Sequence, residues 1–135
     1  MKTDRVITQI NQTNRWTMAR TLFLMPDTWD LALNTDGNIA TATSTYQRAQ
    51  DIASRCRVFI QDLYYQQSAG IPYLESILGK NTYPIGLYQS ELHRAAMSVD
   101  GVVSVNIKLN QLSDRKLTGM IEFTDIEGNS ATVGL

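Results

Sequence analysis

The chain has 135 residues, and 12 Lys and Arg residues against 13 Asp and Glu residues give it a formal net charge of -1. This length suits one domain. Hydrophobic residues make up 43% of the chain and charged residues 19%, so the chain is too apolar to be disordered throughout. Its balanced charge argues against a nucleic-acid binder, which would carry a strongly basic face. We also expect neither a membrane-spanning segment nor a signal peptide, because the sequence lacks the apolar runs that both require.

Residues 1–27 are predicted to form an extended N-terminal arm. Basic residues outnumber acidic ones here, and residues 8–14 are almost entirely Thr, Gln and Asn. Residues 16–25 then alternate between apolar and other side chains, which is typical of an extended strand, and Pro26 ends the pattern. The alternating apolar residues are Trp16, Met18, Leu22 and Leu24. Such a strip needs a partner, either the surface of its own domain or another subunit.

Residues 28–135 are predicted to form one domain that opens with a β-hairpin. Residues 29–33 and 39–42 are the two arms of this hairpin, and they flank the dipeptide Asp36-Gly37. That dipeptide is a strong turn signal, because glycine accepts the positive φ that tight hairpins require.

The clearest helix is predicted over residues 45–65. Its apolar residues recur at spacings of three and four, so they form one stripe. The stripe consists of Ala49, Ile52, Ala53, Cys56, Phe59, Ile60 and Leu63. Ser44 or Thr45 can cap the start of this helix by accepting a backbone N–H. Three arginines lie off the stripe and are expected on a solvated face. They are Arg48, Arg55 and Arg57.

Two further helices and three strands complete the predicted domain. A short helix is predicted at 72–78, with Pro72 at its first position and Gly79 after its end, and a longer one from Pro84 to Ser98. Strands with alternating apolar residues follow at 103–109, 117–123 and 130–135. The predicted fold is therefore α+β, in which the N-terminal hairpin and a C-terminal three-stranded meander form a small antiparallel sheet packed against three helices.

Few residues suggest catalysis. His93 is the only imidazole, and a helical histidine beside Glu91 and Arg94 is more often a surface residue than a catalyst. Cys56 is the only cysteine, so it allows no internal disulfide, and we expect it to pack in the core. The sequence contains no Gly-rich phosphate loop, and we expect neither a cofactor nor a metal. Glycoside hydrolysis needs two facing carboxylates. The candidates are Asp62, Glu75 and Glu91.

Three tyrosines cluster near a predicted turn, namely Tyr64, Tyr65 and Tyr73. They form either a recognition surface or a cover over the ends of the helices, and the sequence leaves both interpretations open.

An ordered series of segments carries the strongest functional signal. It begins with Trp29-Asp-Leu-Ala-Leu-Asn-Thr-Asp-Gly-Asn-Ile39, Gln50-Asp-Ile-Ala-Ser-Arg-Cys-Arg-Val-Phe-Ile60 and Gly70-Ile-Pro-Tyr-Leu-Glu-Ser-Ile-Leu-Gly79. Val99-Asp-Gly-Val-Val103 and Leu117-Thr-Gly119 follow and lead into the closing strands. In order and spacing, the series resembles the small baseplate wedge proteins of contractile-tailed phages, also called sheath initiators. The resemblance is to the branch of phage Mu and the Bacillus defective prophages, and it covers residues 28–134.

The resemblance implies a structural role in a virion. Proteins of this family sit in the wedges around the central hub and tail tube, dock other wedge proteins, and start sheath assembly by strand exchange. The implied partners are therefore other baseplate wedge and hub proteins and the tail sheath protein, with the tail tube as a further candidate and several copies around a sixfold axis. The expected location is the tail baseplate, with host cytoplasm as the place of assembly. Neither nucleic acid nor a membrane is expected as a partner.

The residues expected to contact partners are Trp16, Leu22, Leu24, Tyr64, Tyr65, Tyr73, Ala131 and Val133. The best-studied branch of the family carries a Glu-Pro-Arg signature after its small helix. This chain has Gly79-Lys-Asn-Thr-Tyr-Pro84-Ile there, so that docking contact is not transferred. The alternative function is a peptidoglycan-cleaving tail enzyme, which a lysozyme-like label of the family suggests. A regulatory adaptor that binds a host protein is a third hypothesis, based only on a shared fold.

Overall fold

The computed structural model describes residues 20–79, 84–112 and 116–135. Its elements in chain order are β1 (Arg20–Leu22), β2 (Thr41–Thr43), α1 (Ser44–Arg57), a π-helical turn (Tyr73–Ile77), α2 (Ile85–Met97), β3 (Val102–Leu112), β4 (Lys116–Asp125) and β5 (Ser130–Gly134). The predicted α+β class is confirmed. Trp16 and Met18 of the predicted arm lie outside the described residues.

The last three strands form an antiparallel meander in the order β3-β4-β5, as predicted. Successive residues of a strand point to opposite faces, so the alternating sequence gives the sheet one apolar face. Ile107 pairs with Ile121, which in turn pairs with Val133, and all three side chains are buried on this inner face. The opposite face is polar, and Lys108 there donates a hydrogen bond of 2.7 Å to Glu122.

Both long helices pack against this sheet, α1 on β5 and α2 on β3. The predicted apolar stripe of α1 is half-buried at Ala49 and buried at Ile52, Ala53 and Cys56, so the predicted core position of Cys56 is confirmed. Burial raises the pKa of the Cys56 thiol to about 11, so the thiol stays protonated at neutral pH. The core that joins helices and sheet includes Ile52, Ala53, Cys56, Leu92, Ala95, Ala96, Ile107, Ile121, Phe123 and Val133.

The N-terminal strands form a separate two-stranded sheet, in which β1 pairs with β2. The predicted hairpin turn is present, because Leu33 forms a β-bridge with Ile39 around Gly37, which has a φ of 80°. The arms of the hairpin separate beyond that bridge, since β1 occupies the place beside β2 that residues 29–31 were predicted to take. Residues 20–24, which belong to the predicted arm, thus pair with the domain.

The first long helix is shorter than predicted, because it ends at Arg57 rather than near residue 65. Val58 has extended backbone angles, and Phe59 forms a parallel β-bridge with Ile71. Aromatic and β-branched side chains pair well in strands. The apolar residues after Cys56 have helical spacing, but they form an irregular, strand-like segment instead.

The predicted cap at the start of α1 is also wrong. The residue at the N-cap is Thr43, and it makes no side-chain capping hydrogen bond. Neither Ser44 nor Thr45 takes that role, and the Thr45 hydroxyl donates to the Asp125 carboxylate instead. The helix is held at this end by its tertiary contacts rather than by a cap.

Arg48 is buried in the structure, although the sequence placed it on a solvated face. It lies next to the apolar stripe, and an ion pair with Asp125 compensates for the loss of hydration of its charge. Arg55 and Arg57 are exposed, as predicted.

The two remaining helices match the prediction closely. The residues predicted as a short helix form a single wide turn over Tyr73–Ile77, in which the Leu78 amide donates to the Tyr73 carbonyl at 2.7 Å. Gly79 follows with a φ of 72°, a conformation that favours glycine. The second long helix, α2, begins and ends within one residue of its predicted bounds.

Candidate functional site

The last strand, β5, leaves one edge of the meander open. The amide of Leu135 donates to the carbonyl of Gly119, so the odd-numbered residues of β5 are the ones that bond to β4. In an antiparallel pair, hydrogen-bonded and non-hydrogen-bonded residues alternate. The backbone N–H and C=O groups of Thr132 and Gly134 therefore point away from β4. Within the described part of the chain, no backbone group pairs with them.

The opposite edge of the meander, at β3, is partly covered. Ile121 uses its backbone groups for β5, so Ile107 of β3, which pairs with it, points its own groups outward. Gln89 of α2 donates a hydrogen bond of 3.1 Å to the Ile107 carbonyl. A side chain therefore crosses the β3 edge, and β5 is the more accessible edge for an incoming strand.

A groove of about 300 Å³ runs beside the open edge of β5, and we name it the edge groove. One wall is β5 at residues 132–134, and the other is the segment 24–29. The floor is α1, where the small side chains of Ala49 and Ala53 leave room. An extended peptide that entered this groove would lie on α1 and along β5.

On the wall opposite β5, side chains of α1 bind the backbone groups of Leu24 and the carbonyl of the nearby Leu22. Gln50 accepts a hydrogen bond of 2.9 Å from the Leu24 amide and donates one of 2.7 Å to the Leu22 carbonyl. The Tyr46 hydroxyl donates to the Leu24 carbonyl at 2.7 Å. Two side chains of α1 thus form hydrogen bonds with backbone groups of Leu22 and Leu24 that could otherwise pair with a neighbouring strand. At Thr132 and Gly134, the β5 wall offers backbone groups that no described backbone group binds.

The edge groove carries a positive charge where α1 ends. The Arg57 guanidinium lies 4.4 Å from the centroid of the Trp29 ring, a cation–π contact. Arg57 is the only charged residue among the described residues that line the groove. The structure shows no ion pair between Arg57 and another described residue.

A buried ion pair fixes the start of β5 to α1. Arg48 Nη1 lies 2.9 Å from Asp125 Oδ2, and the two side chains are 1% and 0% exposed. Asp125 also accepts hydrogen bonds from the Thr45 hydroxyl at 2.6 Å and from the backbone amides of Glu127 and Asn129 at 3.0 Å each. This one carboxylate therefore closes the turn between β4 and β5 and ties it to the first turns of α1.

The protonation of Asp125 links this anchor to pH. Burial by itself raises the pKa of the Asp125 carboxyl, but hydrogen bonds from Thr45, the Asn129 amide and Arg48 outweigh burial, so the pKa lies below its usual value. The usual value in unfolded chains is about 3.9. Asp125 therefore adds stability above that pH, and this contribution is lost as the pH falls through the lower, folded-state pKa.

We expect the free energy of unfolding of the wild-type chain to fall more steeply below about pH 4 than that of Asp125→Asn. Urea unfolding measured between about pH 3 and pH 6 gives both slopes. Asp51 acts in the opposite direction because burial raises its pKa, but it is present in both chains and cancels in the comparison. Glu122→Gln is the control for removing a carboxyl at the surface. The pKa of the Glu122 carboxyl is also lowered, by a hydrogen bond from Lys108, but this carboxyl is exposed. Equal slopes for the wild type and Asp125→Asn would contradict the expectation.

Exposed apolar side chains form a second surface around β1 and the hairpin, and we name it the hairpin patch. Leu33 lies opposite Ile39 in one β-bridge, and Leu24 lies opposite Leu31 in another. Four side chains of the patch are at least half exposed: Leu22 (52%), Leu31 (52%), Leu33 (70%) and Ile39 (52%). A contiguous exposed apolar surface is typical of a site that contacts another protein.

The three predicted tyrosines are not brought together. Tyr64 and Tyr65 are 82% and 97% exposed and pack edge to face on each other, so they form an aromatic tip on the loop after α1. Tyr73 instead packs on Phe59 and Tyr88, and its hydroxyl donates to the Cys56 carbonyl. Burial raises the pKa of the Tyr73 hydroxyl, consistent with a position at the edge of the core.

Trp16 lies outside the described residues, and the other four predicted contact residues fall on the two surfaces described above. Leu22 and Leu24 lie in the hairpin patch. Ala131 and Val133 point their side chains toward the helices, and Val133 is buried, so β5 faces the groove mainly through the backbone of the residues next to them. The prediction missed Trp29 and Arg57 of the groove and most of the hairpin patch. The alternation of Leu31, Leu33 and Ile39 was visible in the sequence, but nothing in it indicated that their face would stay uncovered.

The three carboxylates considered for catalysis lie on separate parts of the fold. Asp62 is exposed on the loop after α1, and Glu75 is exposed on the π-helical turn. Glu91 of α2 forms an ion pair of 2.5 Å with Arg94, and His93 beside it is exposed. Across the described ranges, no group of three or more His, Cys, Asp or Glu residues is placed to hold a metal ion. Within the same ranges, no helix has both the length and the apolar character of a membrane span.

No protein-family model matches the chain, and no curated protein matches its sequence.

Proposed function

We propose that the chain is a structural component of a contractile-tail baseplate wedge, where it docks other wedge and hub proteins and starts sheath assembly by strand exchange. The ordered segments over residues 28–134 support the assignment to a tail through their resemblance to the sheath-initiator family. The observation that carries the docking mechanism is the open edge of β5, where the backbone groups of Thr132 and Gly134 beside the edge groove have no backbone partner among the described residues. In this proposal the protein works in the virion and is assembled in the host cytoplasm.

Strand addition at β5 follows from the chemistry of that edge. An extended segment of a sheath subunit would pair with Thr132 and Gly134 and continue the meander by one strand, the mode known as β-augmentation. The ion pair between Arg48 and Asp125 holds β5 on α1, so the edge is fixed in position before the partner arrives. A fixed edge loses little conformational entropy on binding, which favours the first sheath contact.

The hairpin patch and the aromatic tip are the surfaces that we assign to the remaining partners. Both expose large apolar side chains, and they lie on different segments from β5. A subunit that contacts wedge, hub and sheath proteins at once needs several separate faces of this kind. The tail tube is a further candidate partner for one of them.

Quantitative mass spectrometry of purified particles from the source lysate tests the proposal. We expect a fixed copy number per particle that is a multiple of six, because a wedge protein repeats around the sixfold axis of the tail. Absence of the protein from intact particles would reject a structural role in the tail.

Thr132→Pro is expected to reduce sheath assembly on the baseplate by about tenfold or more, because proline removes an outward N–H and its ring obstructs an added strand. The free energy of unfolding should change by less than about 1 kcal/mol, since the Thr132 amide makes no bond to β4. Electron microscopy of particles complemented with the variant counts sheathed tails, and urea unfolding measures the stability.

Val133→Pro is the matched control, because the Val133 amide points inward and its loss breaks the ladder with β4. This control should unfold more easily than Thr132→Pro. Normal sheath assembly on Thr132→Pro would show that strand exchange does not use the β5 edge, even if the protein is present in the particle.

A further inference from the structure

The geometry of the edge groove also indicates which position of a partner strand would lie next to the Arg57 guanidinium. Thr45 and Arg48 near the start of α1 bind Asp125, the last residue of β4, whose carboxylate also closes the turn into β5. The helix and the strand therefore start together. From Thr45 to Arg57 the helix rises about 18 Å, and from Ser130 to Leu135 the strand extends about 17 Å. With the axis of α1 taken as parallel to β5, these lengths place Arg57 at the Leu135 end of the strand, beyond the groove-lining residues 132–134.

The face of the partner strand that meets Arg57 follows from the pleat. Odd-numbered residues of β5 point toward the helices, as the burial of Val133 shows. Residues that pair across two strands share a face. Partner residues opposite Val133 and Leu135 would therefore point toward α1, and those opposite Thr132 and Gly134 would point to solvent.

We infer that the edge groove accepts an antiparallel strand with an acidic side chain opposite Leu135, facing Arg57, and apolar side chains at its other inward positions. The inference rests on the proposed strand exchange and adds the chemistry of the partner. Antiparallel pairing is expected because every pair in the meander is antiparallel and this arrangement is slightly more stable per residue.

The charge of the groove supports the acidic position. A strand laid in the groove would remove water from Arg57, and a charge that loses water without a partner is unfavourable. The described lining of the groove supplies no carboxylate. No described carboxylate pairs with Arg57, so a carboxylate on the incoming strand would supply that partner, while Ala49 and Ala53 give the next inward side chain an apolar floor.

The test tethers the strand to the full chain. Leu135 is extended by a flexible Gly-Ser linker and then by Glu-Thr-Val-Thr-Val, which can fold back antiparallel along β5. The linker raises the effective concentration of the strand into the millimolar range, so weak pairing becomes measurable. Two matched chains carry Gln or Lys in place of the Glu. The readout is amide hydrogen exchange of Thr132 and Gly134 by NMR, and the Val133 amide, bonded to β4 in every chain, is the internal reference.

We expect the Glu strand to slow exchange at Thr132 and Gly134 about tenfold more than the Lys strand, with the Gln strand between them. In Arg57→Glu the order of the Glu and Lys strands should reverse. Equal protection by all three strands would overturn the acidic preference and leave the β5 edge as a strand acceptor. If no strand protects these amides, both the inference and strand exchange at β5 are overturned, while the copy number in particles tests the baseplate role separately.

Discussion

Arg48→Ala is expected to lower the free energy of unfolding by about 3 to 5 kcal/mol, the largest loss that we expect from any single side chain on α1. The guanidinium is 1% exposed and pairs at 2.9 Å with a fully buried carboxylate. Removal of the cation leaves the charge of Asp125 buried with fewer partners, which costs more than the pair itself contributes. Unfolding in urea, followed by circular dichroism, measures the change in the midpoint and its slope.

Arg55→Ala is the matched control for this variant, because it removes the same side chain from an exposed position of the same helix. Arg55 donates one hydrogen bond, of 3.1 Å, to the Ser98 hydroxyl. We expect a loss below about 1 kcal/mol. The double variant Arg48→Met/Asp125→Asn should lose less than the sum of its single variants, since an amide at position 125 needs no cation. A loss of only about 1 kcal/mol from Arg48→Ala would show that Asp125 is stabilised without its ion pair.

A substitution at Gly101 provides a second test of the buried position of the Arg48 guanidinium. Gly101 has a φ of 85°, and a Cβ atom built on it would lie 2.5 Å from Arg48 Nε. The chain between α2 and β3 thus passes close over Arg48, which explains how an arginine stays buried beside an apolar stripe. If Gly101→Ala and Arg48→Ala destabilise through the same contact, their effects should not add.

The antiparallel meander was predictable because one local rule governs each strand. Residues such as Ile107 and Ile121 alternate with polar ones, and a period of two has one structural interpretation when one face is buried. The buried state of Arg48 was not predictable in this way, because it depends on Asp125, which is far away in the sequence. The pattern of apolar residues along α1 contains no information about Asp125 on the turn between β4 and β5.

The end of α1 shows a second limit. Phe59, Ile60 and Leu63 continue the helical spacing, and a helix would bury them on the same stripe. The structure uses Phe59 in a bridge with Ile71 instead, and Gly70 makes the close approach of these two segments possible. The spacing of the apolar residues is compatible with a longer helix and with the observed strand-like segment. The bridge between Phe59 and Ile71 favours the second. The edge groove also depends on contacts between distant segments, because segment 24–29, α1 and β5 together form it.

Gly70→Ala is expected to lower the free energy of unfolding by roughly 3 to 5 kcal/mol, the sum of backbone strain and overpacking. Gly70 has a φ of 112°, and an added Cβ would lie 2.6 Å from the carbonyl carbon of Phe59. Backbone atoms held in a β-bridge cannot move aside as a flexible side chain can. The measurement is the urea midpoint.

Gly79→Ala separates the two causes of this loss. Gly79 also has a positive φ, of 72°, but an added Cβ there meets nothing within 4 Å. It should therefore cost only the backbone strain, about 1 to 2 kcal/mol. The difference between the two variants measures the close approach of Gly70 to Phe59. If the two variants lose equal stability, that approach is not tight, and the loop that carries Tyr64 and Tyr65 is held less rigidly than the structure indicates.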